Sequence, residues 1–108
     1  MAIKITTDEI NKAQKFRENL KVEIDKSLPK EIIGLFPTTP CSALKCGQSD
    51  EQLASYRKKL MEFTSIAGMT SRPQISMPKL KDNTGPIGIS LLGWKYSDEI
   101  LLEKLMYL

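Results

Sequence analysis

The chain has 108 residues, 41% of them apolar and 27% charged, with 16 basic and 13 acidic side chains and a net charge of +3. That length allows one domain built on one modest core. Histidine is absent, which excludes Ser-His-Asp and Cys-His nucleophile systems and histidine-ligated metal sites.

Charges of both signs alternate along the first predicted helix at Glu18, Lys21, Glu23, Asp25 and Lys26. This leaves no basic face, and no nucleic-acid partner is expected. The start MAIKITTDEI lacks the apolar run of a signal peptide, and no segment approaches the roughly 20 apolar residues of a membrane span. Cys41 and Cys46 stand five residues apart, which is not a zinc spacing. The expectation is two free thiols in a cytoplasmic protein, with no metal, no cofactor and no membrane contact.

Thr6 and Glu9 form a capping box ahead of apolar residues at Ile10, Ala13, Phe16, Leu20, Ile24 and Leu28. The spacing predicts an amphipathic helix over 7–27, stopped by Pro29. Ile32 to Phe36 is a short apolar run, read as a strand buried on both faces, and Pro37 and Pro40 end it. A loop follows over 38–49. Ser49 and Gln52 make a second capping box, before Leu53, Tyr56, Leu60, Phe63 and Ala67, and Gly68 is placed as the C-terminal cap. Pro73 and Pro78 limit the next strand to Gln74–Met77. Lys79 to Gly85 reads as a polar hairpin loop and Ile87 to Leu92 as the returning strand. Ser97 is placed as the cap of a third helix carrying Ile100, Leu101, Leu105 and Met106.

The order α-β-α-β-β-α predicts an α/β fold: a small three-stranded mixed sheet with three helices, one domain over residues 1–108. The strand–helix–strand portion predicts a crossover between parallel strands, and the last two strands an antiparallel pair.

Several motifs now carry a resemblance. Phe36-Pro37-Thr38-Thr39-Pro40, Tyr56-Arg57 and Phe63-Thr64-Ser65-Ile66-Ala67-Gly68 occur in order. Pro73-Gln74-Ile75-Ser76-Met77-Pro78, Gly85 to Gly93 and Asp98-Glu99-Ile100-Leu101-Leu102 follow them. Over about Glu31 to Leu108 this resembles the C-terminal portion of the amidase signature family, closest in flavour to amidases of indole-acetamide-like substrates. The resemblance implies a strand ending in Pro-Thr, a helix, a strand hairpin and a closing helix within a larger sheet. It also implies chemistry by a Ser nucleophile, a bridging Ser and a Lys base. In that family those residues precede the segment matched here, so no catalytic residue is assigned, and no substrate-binding residue either. The six glycines, at 34, 47, 68, 85, 88 and 93, include no adjacent pair, and no Ser-Ser pair occurs. An oxyanion loop made of backbone N–H groups needs such clustering.

Ser65, Ser71, Ser76 and Ser90 lack an evident base and read as turn or strand serines. Lys79, Lys81 and Lys95 fall in or beside polar loops and read as solvated. Thr38, Thr39 and Cys41 follow a strand end, where α/β proteins place ligands, and in an intact amidase that loop would lie near the substrate pocket. The plain reading is a connection. Trp94 and Tyr96 read as packing at the sheet edge, with a binding patch as the alternative. The functional expectation is an amidase-like piece that is inactive alone in amide hydrolysis. The alternative is a small interaction or scaffold protein that self-associates, or takes a complementary protein partner, through exposed sheet surface.

Overall fold

A computed structural model describes residues 3–107. Helix α1 (Thr7–Ser27) starts where reciprocal caps hold it. The Glu9 N–H donates to Thr6 Oγ1 at 3.3 Å, and the Thr6 N–H donates to the Glu9 carboxylate at 2.8 Å. The Thr6 backbone N–H, then its hydroxyl, hold the Glu9 carboxyl below its ordinary 4.5. Helix α2 (Asp50–Thr70) begins the same way on Ser49 and Gln52. It does not end at Gly68, which lies inside the helix. Ser71 takes the left-handed cap conformation instead, with φ 57°. Arg17 of α1 braces that end: its Nε donates to Met69 O at 2.9 Å and its Nη2 to Gly68 O at 3.4 Å. A cation on the last carbonyls of a helix satisfies groups the helix cannot.

The strands are β1 (Gly34–Pro37), β2 (Gln74–Lys81) and β3 (Pro86–Leu92), arranged in the order β1-β3-β2. β3 runs antiparallel to both neighbours. β1 and β2 therefore point the same way, but β3 lies between them. The expected parallel ladder is absent and the sheet is antiparallel rather than mixed. The hairpin partner takes the place beside β2, which leaves β1 the free edge of β3. β2 also runs past Pro78, because the register shifts between Met77 and Leu80. A bulge accommodates a residue with no N–H to donate, and the predicted hairpin loop shrinks to the turn after Lys81.

Helix α3 (Asp98–Leu105) covers one sheet face. Its Leu101 is fully buried with Met77 and Leu91, against partly buried Ile33, Ile75, Ile89 and Leu105. Gly93 permits this approach: a Cβ there would strike Ser97 Oγ and lie 2.9 Å from Leu101 Cδ1. Ser97 precedes α3 as expected, but its hydroxyl does not cap the helix. It donates to Trp94 O at 2.6 Å. On the opposite face Phe36 stacks on Phe63 of α2, with centroids 6.5 Å apart. β1 is not buried on both faces, since Leu35 is 63% exposed on an edge strand with nothing laid over it.

Buried Arg72 locks α1 to the start of β2. Its guanidinium donates to Gly93 O at 3.0 Å, Leu28 O at 2.8 Å and Asp25 Oδ1 at 2.8 Å.

Candidate functional site

The sheet brings the carboxyl ends of β1 and β2 to one edge of the molecule, where α/β proteins open their ligand crevices. The segment after β1 is anchored there by the Thr38 N–H, which donates to Gly88 O at 2.8 Å. Thr39 Oγ1 donates to Cys41 O at 2.7 Å and turns the chain. Pro40, Cys41 and Leu44 then form one wall of an open cleft of about 450 Å³. Glu51, Tyr56 and Lys59 of α2 help form the other wall.

Asp82 joins this loop to the β2–β3 turn. Its Oδ1 accepts from the Thr84 N–H and hydroxyl, both at 2.7 Å, and from the Gly85 N–H at 2.9 Å. Its Oδ2 accepts from the Ser42 N–H at 3.4 Å, and the Ser42 and Thr84 hydroxyls meet beside it. The Thr84 hydroxyl, followed by the Thr84 N–H, pulls the Asp82 carboxyl down to about 2.

A cluster of hydroxyls lies on the sheet face next to Thr38. Thr38 Oγ1 is 2.6 Å from Ser76 Oγ and 2.7 Å from Ser90 Oγ, and Gln74 Nε2 donates to Ser90 Oγ at 2.8 Å. Ser90 is fully buried and Ser76 exposed. Two of the four serines considered as nucleophiles thus come together, without a base. Ser65 donates to Met61 O within α2, and Ser71 accepts from Arg17 at the end of that helix. Lys79, Lys81 and Lys95 are exposed, and among the described residues no hydrogen bond ties them to a serine. Cys41 is half-buried, Cys46 exposed, and both are free thiols. Tyr96 is exposed at φ 69° with Lys95 Nζ 5.2 Å from its ring centre, and Trp94 is half-buried.

The place of Thr38, Thr39 and Cys41 after a strand is enough to nominate them from sequence. The partnership of Thr38 with Ser76 and Ser90 has no such signal. Ser76 and Ser90 are opposite one another in the β2–β3 register, a pairing that the hairpin alone could have suggested. Among the described residues no three His, Cys, Asp or Glu side chains converge as a metal site. No helix there is long and apolar enough to cross a membrane.

A hairpin beside an antiparallel edge strand, a Pro-Thr strand end and a closing helix define a piece of an amidase-type α/β fold. The sequence profile of the amidase family matches residues 2–102, and the chain belongs to that family. It is 35% identical over 95 residues to a glutamyl-tRNA(Gln) amidotransferase subunit from Picosynechococcus sp., covering 85% of this chain and 19% of that protein. The corresponding protein of Thermotoga maritima is 32% identical over 88 residues, which is 82% of this chain and 18% of that protein. The crystal structure of the Thermotoga maritima protein superposes with a TM-score of 0.71 at 31% identity, covering 82% of this chain and 19% of the other. The chain spans about a fifth of the length of these relatives. They are named as amidotransferase subunits rather than as indole-acetamide amidases.

Proposed function

We propose that this chain is the closing piece of an amidase fold, a single domain that is inactive alone in amide hydrolysis. It supplies sheet and pocket wall to a cytoplasmic amidase body. The observation that carries this reading is the extent of the family match: residues 2–102 align with the family, yet the chain spans about a fifth of its relatives. The crowded serines support it from the chemical side. Ser76 and Ser90 share hydroxyl partners and have no lysine among them, so neither oxygen has a base to take its proton. The relatives favour a parent of the glutamyl-tRNA(Gln) amidotransferase kind over an indole-acetamide-type amidase.

The test is an amide-hydrolysis assay on the purified chain, with a primary amide and with glutamine as substrates. Turnover at the buffer background is expected. Turnover that survives stringent purification and scales with the chain would sink the reading.

A second reading, a small self-associating interaction protein, has its own observation. The structure exposes 8554 Å² of surface, where a compact monomer of 12.2 kDa exposes about 6,100 Å². Both readings require a covering partner. They differ in whether that partner is an amidase body or a second copy.

A further inference from the structure

Backbone hydrogen bonds fix which way the polar groups of each strand point. The Thr38 N–H donates to Gly88 O at 2.8 Å, continuing the register in which Pro37 faces Ile89. Opposed residues in an antiparallel ladder are bonded and unbonded by turns, so Gly34 and Phe36 turn their N–H and C=O toward β3. Leu35 turns both of its groups outward, and Pro37 its carbonyl. The bond from the Gly93 N–H to Pro73 O gives the same alternation on the other side of β3.

The two free edges of the sheet differ. β2 carries the devices that keep an edge unpaired: Pro78 inside the strand, a bulge between Met77 and Leu80, and exposed Lys79 and Lys81. β1 carries no charge and no register shift, and its one proline is its last residue. The run Ile32 to Phe36 reads as a strand buried on both faces, yet Ile32 is 47% and Leu35 63% exposed. The cover that this run calls for is left to a neighbour.

The β1 edge fits itself. Leu35 lies opposite Leu91, so its side chain stands on the sheet face that holds Leu91 and Leu101. A two-fold axis normal to the sheet at Leu35 sets that residue against its own copy. Each Leu35 N–H then donates to the Leu35 carbonyl of the second copy, and the two exposed side chains meet on one face. Pro37 falls opposite Ile33, where its spare carbonyl accepts from the Ile33 N–H. A contact of this kind closes at two copies. Surface is not limiting: the excess over a compact monomer is roughly 2,500 Å², and a standard interface takes about 800 Å² per partner.

We infer that β1 is the seam of a two-fold dimer, in which the β1 edges of two copies pair antiparallel and fuse two three-stranded sheets into one. This rests on the self-associating reading above and adds to it the surface, the register and the stoichiometry.

The test begins with the mass of the parent chain against concentration, which is expected to level off at twice 12.2 kDa. L35C in a C41S/C46S chain then reports the register under glutathione disulfide. Opposed residues of a bonded antiparallel pair stand about 5.5 Å apart at Cα, within disulfide reach. L35C copies should join as a disulfide-linked dimer, and K79C copies, on the guarded edge, should not. L35P is the second variant. The Leu35 N–H faces away from β3, so proline there leaves the β1–β3 ladder intact. It stays apolar but removes both Leu35 donors from the seam, and association should weaken roughly ten-fold or more. Equal yields from L35C and K79C, or L35P associating like the parent chain, overturn the seam and leave self-association standing. Growth past two copies overturns the two-fold closure. A chain that stays monomeric overturns both, and the β1 edge is then left to the amidase body. If L35P does not fold, L35C decides alone, because Leu35 is exposed.

Discussion

Asp82 shows how much one carboxylate can organise. Its oxygens hold the β2–β3 turn through Thr84 and Gly85 and reach the β1–α2 loop through Ser42. These bonds favour the charged form and depress its pKa from 3.8 to about 2. A depressed acid contributes stability that is fully present above its unfolded value. That contribution is lost as pH falls from about 3.8 through about 2. The thermal midpoint should therefore drop across that window, and the drop should flatten in D82N. A carboxyl NMR titration of Asp82 beside melting curves from pH 5 to roughly 2 checks both. Arg72 acts by burial rather than titration. Its side chain is 4% exposed, whereas Asp25 across the ion pair is 66% exposed. The pair itself is therefore screened and worth about 0–1 kcal/mol. The greater part lies in the carbonyls of Gly93 and Leu28, which lose their donor when Arg72 goes. R72A should cost about 2–4 kcal/mol in urea unfolding and D25A less than about 1 kcal/mol. Equal costs would show that the exposed ion pair, not the buried carbonyls, carries the clamp.

At the scale of elements, local signals set the helices and long-range ones set the sheet. The bounds of α1 agree with its reading from sequence because the Thr6–Glu9 box and Pro29 are local devices. The end of α2 lies beyond its expected place because its brace comes from Arg17, 52 residues away from Met69 in the chain. The β2–β3 hairpin is readable from alternation around a polar turn. The place of β1 is not, because strand order is a tertiary choice and Ile32 to Phe36 is too short to reveal which edge it joins. The candidate site divides the same way. Thr38, Thr39 and Cys41 are legible as a strand-end loop. The Thr38–Ser90 pairing is hidden, since it exists only once β1 lies beside β3. α1 records the same division. Its apolar stripe is partly buried from Leu20 to Leu28, where α2 and the sheet meet it, yet Phe16 is 62% exposed. The helix is amphipathic as its spacing predicts, but half of its apolar face has nothing against it.

The whole molecule is a plate, 46 × 38 × 20 Å, with a radius of gyration of 16.5 Å. A compact domain of this length has a radius of about 13 Å. Its fully or nearly buried apolar side chains are few among the described residues: Met77, Leu91, Leu92 and Leu101. Exposed ones occur on all three helices and two of the strands, among them Phe16 on α1, Leu35 on β1, Met61 on α2, Leu80 on β2 and Leu102 on α3. The surface exceeds that of a compact monomer of this mass by roughly 2,500 Å², about what one partner buries in a large obligate interface. An edge strand with an exposed leucine is a template for pairing with another chain, and an uncovered helix stripe is an apolar surface that a partner can cover. The chain alone should therefore self-associate, with its mass by light scattering rising between about 1 and 100 µM. The double variant F16E/L35K places charge on two of these surfaces and should move that rise to at least roughly ten-fold higher concentration, about 1.4 kcal/mol of association. The substituted positions are already exposed, so the circular dichroism of the variant at low concentration should match that of the parent chain. A strictly monomeric parent chain across this range would remove self-association as the means of covering the plate. The amidase body proposed above would then be the partner left to cover it.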